Sequence, residues 1–80
     1  MGDHEVLVRV NELVAKEHAL EQRHVGTALS DEEAAELREI EVALDQCWDL
    51  LRQRRARRAA GGDPDDAEVR PASTVEGYRQ

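Results

Sequence analysis

Apolar residues in the first quarter of the chain recur at steps of three and four residues. Leu7 and Val14 widen an apolar line that four other residues form: Val6, Val10, Leu13 and Leu20. This spacing places apolar side chains on one face of an α-helix and lacks the alternation of a strand. Asp3 can cap the start of the helix, and Gly26 suits the left-handed residue that follows a last turn. The pattern predicts a helix near residues 3–25.

A second helical pattern begins with a start signal at residue 30. In the run 30–33 (SDEE), the Ser30 hydroxyl can accept from the Glu33 amide while the Glu33 carboxylate reaches back, which forms a capping box. Five residues then follow at alternating steps of three and four, as in a short coiled-coil seam: Leu37, Ile40, Leu44, Cys47 and Leu51. Gly61 and Gly62 end the pattern, so a helix near residues 31–60 is predicted.

The short link between the two patterns predicts an antiparallel helical hairpin over residues 1–62. Folding at residues 27–28 matches the two apolar lines pair by pair: Leu20 with Leu37, Leu13 with Leu44, Val10 with Cys47, and Val6 with Leu51. The agreement of cap, turn and apolar line favours an all-α fold.

Residues 63–80 are predicted to form an acidic turn and a C-terminal tail. Asp63 precedes Pro64 and two further acids, a pattern typical of a helix start, so we expect a helical turn or two. Residues 71–80 show no periodicity and are expected to be extended or disordered. Val75 and Tyr78 are the candidate anchors of this segment.

Two helices of this length bury too little apolar surface to be stable alone. The chain has 80 residues, one Trp, one Tyr and no Phe, and the free-energy balance of so small a fold comes out near zero. The missing burial can come from the tail, from an unidentified protein partner or from a second copy, which is a common solution for helical hairpins. We expect a homodimer that forms a four-helix bundle, with Trp48 facing a second copy or the tail. The candidate interface residues are Leu7, Val14, Trp48, Leu51 and Tyr78.

The charge pattern offers an alternative partner. Five arginines form a basic block near the end of the second predicted helix: Arg52, Arg54, Arg55, Arg57 and Arg58. Such a block can bind phosphates, so a nucleic-acid-associated protein is the alternative interpretation. However, the chain carries a net charge of −7, and no aromatic residue lies within the block for base stacking. Residues 63–68 contain four acids, and Asp3 and Glu5 lie at the same end of the hairpin. We therefore expect carboxylates to pair with the block.

Candidate catalytic and metal-binding patterns are absent from the sequence. His4, His18 and His24 lack the spacing of metal ligands. Cys47 lies on the predicted seam, where a cysteine acts as a small apolar residue, and a single cysteine fits a reducing cytoplasm. No nucleophile–base set is recognisable, and no apolar run approaches the roughly 20 residues of a membrane span. We expect a cytoplasmic protein that is not an enzyme and has no cofactor, no metal and no membrane anchor.

The run 45–58 (DQCWDLLRQRRARR) resembles the signature of a family of short actinobacterial proteins of unknown function. The acidic stretch 63–71 and residues 75–78 are similar to the tail of that family. The resemblance covers most of the chain and implies a stand-alone bacterial cytoplasmic protein. It implies no catalytic residue and no ligand, since the family has none assigned.

Overall fold

A computed structural model describes residues 2–23 and 26–76 of the chain. It contains three α-helices, which are α1 (Asp3–Arg23), α2 (Asp31–Ala59) and α3 (Ala72–Glu76), and one 3₁₀ turn at Pro64–Asp66. There is no β-strand within the described ranges, and the predicted all-α class is confirmed. The two long helices lie where the sequence predicts them, although the predicted end of the first at residue 25 lies outside the described residues.

Two local signals set the link between α1 and α2, as the sequence predicts. Gly26 has a φ of 83°, the left-handed conformation that glycine adopts without strain. The Glu33 amide donates to Ser30 Oγ at 3.1 Å, and the Ser30 amide donates to Glu33 Oε1 at 3.1 Å. Both halves of the capping box are therefore formed, and α2 begins at Asp31.

The central rod of the molecule is α2. On one side α1 packs along it in the opposite direction, so that Asp3 at the start of α1 reaches Arg54 near the end of α2. On another side, residues 63–76 return along α2 as a tail that contains the 3₁₀ turn and α3. The Cα atoms extend over 50 × 26 × 15 Å, so the fold is a thin slab.

The buried core follows α2 and, among the residues that the structure describes, contains seven apolar side chains: Val6, Val10, Leu13, Leu20, Ile40, Leu50 and Val75. The predicted line of α1 is confirmed, since its four residues are at most 5% exposed. The predicted seam of α2 is wrong in its rotation. Ile40 is buried, but four other predicted seam residues are only half-buried: Leu37, Leu44, Cys47 and Leu51. Leu50, which the predicted seam omits, is buried instead.

This rotation of α2 follows from its having two neighbours. Successive side chains of an α-helix are about 100° apart, so Leu50 lies about 80° from Ile40 in one sense and Leu44 about 40° in the other. The predicted seam assumed that α1 is the only neighbour of α2. Because α2 turns Leu50 toward the space between α1 and the tail, Leu44 and Leu51 remain at the edge of the core.

The tail is more ordered than the sequence predicts. The turn expected after Asp63 is confirmed, and Asp63 Oδ1 caps it by accepting from the Asp65 amide at 2.9 Å. The expectation of an extended or disordered segment from residue 71 is wrong for α3 (Ala72–Glu76). This short helix forms because Val75, which is 3% exposed, is buried where α3 packs on α2. Val75 is thus an anchor as predicted, whereas Tyr78 lies outside the described residues.

Ser30→Ala is expected to lower the free energy of unfolding by about 0.5–2 kcal/mol, because it removes the acceptor of the Glu33 amide. Urea unfolding followed by circular dichroism measures this change. Ser73→Ala, at an exposed position of α3, is the matched control and should change the free energy by less than about 0.5 kcal/mol. Equal effects of the two substitutions would contradict the role of the capping box.

Candidate interaction surface

Arg54 joins three segments of the chain at one end of the slab. It is only 6% exposed although it carries a charge. Its Nε donates to Asp3 Oδ1 in α1 at 2.5 Å. Its Nη1 donates to Asp65 Oδ1 at 2.8 Å and to the Pro64 carbonyl oxygen at 3.1 Å, both in the 3₁₀ turn. A charge removed from water needs such partners, and two carboxylates provide them here.

Arg58 adds a second ion pair to the same carboxylate. Its Nη1 lies 3.1 Å from Asp3 Oδ1, and its Nη2 lies 2.9 Å from Asp3 Oδ2. Hydrogen bonds from Arg58 and then Arg54 hold the pKa of Asp3 below its ordinary value. The hydrogen bond from Arg54 likewise lowers the pKa of Asp65. The predicted pairing of the basic block with acids of α1 and the tail is confirmed for Arg54 and Arg58.

A buried ion pair fastens the tail to the middle of α2. Asp49 is fully buried, and Arg70 of the tail donates to both of its carboxylate oxygens, from Nε to Oδ2 at 2.8 Å and from Nη2 to Oδ1. Gln53 Nε2 also donates to Asp49 Oδ2 at 2.9 Å. These hydrogen bonds, above all that from Arg70, hold the pKa of Asp49 below its ordinary value although burial opposes the charge. The bidentate pair fixes both the position and the direction of the tail.

Two glutamine side chains of α2 bind the backbone of the tail beside this ion pair. Gln46 Nε2 donates to the Arg70 carbonyl oxygen at 3.2 Å, and Gln53 Nε2 donates to the Glu68 carbonyl oxygen at 2.7 Å. Together with Asp49 they form a polar line at steps of three and four residues. Sequence reasoning missed this line, because it searched helix faces for apolar periodicity. The signal that could have revealed this line is the helical spacing of Gln46, Asp49 and Gln53, on the face of α2 away from the predicted seam.

An apolar groove of about 490 Å³ lies between α1 and the tail. It is lined by Ala43, Cys47 and Leu50 of α2, Val8 of α1 and Val69 of the tail, among others. Glu5, which the sequence places at the same end of the hairpin as the basic block, also lines this groove. Burial raises the pKa of the Cys47 thiol, which keeps it protonated near neutral pH.

The other side of the slab carries an unpartnered apolar surface. Trp48 lies about 80° from Ile40 around α2, in the sense opposite to Leu50 and the groove. Leu7 and Val14 lie about 80–100° from the buried Val6 around α1, again away from the groove. Because α1 and α2 run antiparallel, these side chains share one side of the slab. We call this side the open face and define it by five residues: Leu7, Val14, Leu44, Trp48 and Leu51.

The exposure of these side chains marks the open face as distinct from the core. Leu7, Trp48 and Val14 are 44%, 45% and 46% exposed, and Leu44 and Leu51 are half-buried. Four of the five interface candidates predicted from the sequence lie on this face, and the fifth, Tyr78, lies outside the described residues. Trp48 does not contribute to a closed core.

The remaining arginines of the basic block stay at the surface. Arg52, Arg55 and Arg57 are exposed on α2, in contrast to the buried Arg54. Across residues 2–23 and 26–76, no group of three or more His, Cys, Asp or Glu side chains could hold a metal ion. In the same ranges no helix is long and apolar enough to cross a bilayer.

Comparison with known proteins places the whole described fold in one family. The model of a family described as protein of unknown function (DUF2630) matches residues 2–80. Over 78 residues the chain is 58% identical to uncharacterized proteins of Mycobacterium tuberculosis H37Rv and Mycobacterium bovis, an alignment that covers 95% of this chain and 88% of each relative. No solved structure matches the chain significantly. The resemblance to actinobacterial proteins of unknown function is confirmed.

The stability of the protein is expected to fall in acid as Asp49 is protonated. Its folded pKa lies below the ordinary value of 3.8, so its stabilising effect is complete above that pH and is lost as the pH falls through the folded pKa. Asp49→Asn should lower the free energy of unfolding by about 1–3 kcal/mol at pH 7, since Arg70 loses a charged partner. The difference in the free energy of unfolding between this variant and the unmodified chain should narrow below pH 4.

Urea unfolding at several pH values measures the free energy of unfolding of Asp49→Asn and of the unmodified chain as a function of pH. Asp66→Asn removes an exposed carboxylate of the 3₁₀ turn and is the control, and its curve should run parallel to that of the unmodified chain. A difference in the free energy of unfolding between Asp49→Asn and the unmodified chain that stays constant from pH 7 to pH 2 would contradict the assigned role of the Asp49 charge.

Proposed function

We propose that this chain, which belongs to the family of proteins of unknown function DUF2630, acts by protein–protein contact through its open face. The partner is a second copy of the chain, and the product is a homodimer with four long helices. The role is that of a non-catalytic assembly module in the bacterial cytoplasm. The single observation that carries the proposal is the exposure of Leu7, Val14 and Trp48 together on the side of the slab opposite the tail.

The tail limits which surface can take a partner. Arg70, Gln46 and Gln53 connect the tail to one side of α2, and α1 covers another side. The sides of α2 that could bind helices of the same chain are therefore occupied. Among the described residues of α2, Trp48 is the large apolar side chain that is exposed, and it lies on the open face. Burying this face against a second copy supplies the burial that a fold of 80 residues lacks.

The size of the open face is that of a weak contact between proteins. From residue 37 to residue 55, α2 is about 27 Å long at 1.5 Å per residue, and two adjacent helices are about 20 Å wide. The contact area is then about 550 Å² per copy, near the lower limit for specific interfaces. Such an area fits a dissociation constant in the micromolar range, about 1–100 μM.

Trp48→Glu is expected to weaken the dimer at least about tenfold, because it places a charge at the centre of the apolar contact and removes its largest side chain. Sedimentation equilibrium between about 1 and 200 μM, a range that brackets this affinity, measures the dissociation constant. Val69→Glu introduces the same charge at a more exposed apolar residue on the groove side. This control should dimerise like the unmodified chain.

Circular dichroism of both variants shows whether the helices are retained. A folded 9.0 kDa monomer at all concentrations for the unmodified chain would refute homodimerisation. It would favour an unidentified protein partner for the open face. Equal weakening by Val69→Glu would place the contact elsewhere on the slab.

A nucleic-acid partner is the second candidate, and the exposure of Arg52, Arg55 and Arg57 is the observation that favours it. The burial of Arg54 and the pairing of Arg58 with Asp3 leave fewer charges for phosphates than the sequence suggests. The net charge of −7 also opposes approach to a polyanion.

The full chain is therefore expected not to be retained on heparin at about 150 mM NaCl, an ionic strength at which a protein making several phosphate contacts still binds. Arg55→Gln/Arg57→Gln is the comparison variant and should behave identically. Retention of the full chain that falls steeply with salt and is lost in this variant would reverse the order of the two candidates.

A further inference from the structure

We propose that the apolar groove between α1 and the tail is a second interaction surface, which binds an amphipathic helix of another protein with an apolar ridge and basic flanks. The groove is formed by a single copy of the chain, so this inference goes beyond the proposed homodimer and does not depend on it. It rests on the shape of the groove, on the exposure of its two rims and on the charges beside them.

The floor of the groove is a short stretch of α2 on which two of three apolar side chains are small. Ala43, Cys47 and Leu50 follow one another at steps of four and three residues. They span about 10.5 Å, or two helical turns. Because Ala43 and Cys47 are small, a helix laid on this floor can approach α2 closely. Helices bind such grooves through apolar residues at steps of three and four, and two of their turns match this length.

The rims of the groove distinguish a helix from a small molecule as the occupant. Val8 of α1 is 42% exposed, and Val69 of the tail is 61% exposed. Sites for small molecules enclose most of the surface of their ligand, whereas a small molecule held on this floor leaves both valines in water. A helix is about 10–12 Å in diameter with its side chains, so it contacts the floor and both rims at once. The exposed rims therefore favour a helix.

Carboxylates beside the rims determine the charge of the partner. Glu5 and Glu12 of α1 line the groove, and Glu68 directly precedes the valine of the tail rim. Arg9 also lines the groove, but it forms an ion pair with Glu12 at 3.5 Å. The charge of Arg70 is taken up by its ion pair beneath the tail. Lys or Arg on the flanks of the partner helix complements these acidic rims, whereas Asp or Glu there is repelled.

The groove and the open face lie on different sides of the slab. Leu50 at the groove and Trp48 on the open face are about 160° apart around α2. A helix in the groove therefore leaves the open face accessible, and a dimer formed through the open face carries two grooves on its outer sides. The two surfaces can be tested separately, because a substitution on one of them leaves the other intact.

Two synthetic peptides serve as probes of the full chain, each of about 15 residues, a length at which isolated helices begin to form. Both have Leu at steps of three and four residues, with Lys on the flanks of one peptide and Glu on the flanks of the other. Fluorescence anisotropy measures their binding. The Lys peptide is expected to bind at least about tenfold more tightly than the Glu peptide, and less tightly as the salt concentration rises. Equal binding of the two peptides, or no binding of the Lys peptide at about 1 mM, overturns the proposal.

The single cysteine of the chain provides a measurement at the site itself. Cys47 lies in the groove, so the bound Lys peptide should slow the alkylation of its thiol by iodoacetamide. Binding that leaves the alkylation rate unchanged overturns the proposal, because the contact then lies elsewhere. Alkylation that slows as the protein concentration rises, with no peptide present, assigns the groove to a second copy and also overturns it.

Two exposed valines of α1 provide a matched pair of variants. Val8→Gln removes a rim of the groove, and Val14→Gln makes the same change on the open face at a similar exposure, 42% against 46%. Val8→Gln should weaken binding of the Lys peptide about tenfold and leave the dimer unchanged. Val14→Gln should weaken the dimer and leave peptide binding unchanged.

Circular dichroism shows whether both variants keep their helices. Equal loss of peptide binding in the two folded variants overturns the proposal. Sedimentation of the same samples separates this failure from that of the proposed function. A monomer that binds the Lys peptide in the groove refutes the homodimer and supports the groove, whereas a dimer that does not bind the peptide refutes the groove alone.

Discussion

The buried guanidinium of Arg54 is the contact on which the arrangement of the three segments depends. It takes one carboxylate from α1 and one from the 3₁₀ turn, so a single side chain fixes the start of α1 and the return of the tail against α2. A buried charge requires both partners, because leaving one group unpaired away from water costs several kcal/mol. This requirement gives the end of the slab a defined register, which apolar contacts between short helices specify less strictly.

The tail is held mainly by directional polar contacts, and this shapes the rest of the molecule. Asp49 and the two glutamines beside it bind the side chain and backbone of residues 68–70, while Val75 supplies the apolar anchor further along. With α1 on one side and this tail on another, α2 is turned so that Leu50 is buried and Trp48 is not. The exposed apolar residues of α2 are therefore a consequence of how the tail is fastened.

Much of the fold could be predicted from the sequence because its signals are local. The capping box at Ser30, the left-handed Gly26 and the apolar line of α1 each follow from residues within a few turns. The ion pair between Asp3 and Arg54 also followed, since the hairpin register alone brings them together. The burial of Asp49 could not be predicted in this way, because its partner Arg70 lies 21 residues away and no periodicity connects them. The helix at α3 likewise depends on packing of Val75 and not on its own propensity.

The difference between local signals and contacts of distant residues also explains why the open face could be predicted only in part. Helical spacing placed Leu7, Val14 and Trp48 beside the apolar lines and Leu51 on the predicted seam, but it did not reveal on which side of the slab the tail would lie. The ion pair of Asp49 with Arg70 determines that side, and Trp48 is left exposed on the other. The position of the tail and the exposure of Trp48 are consequently two results of one constraint, the rotation of α2 between its neighbours.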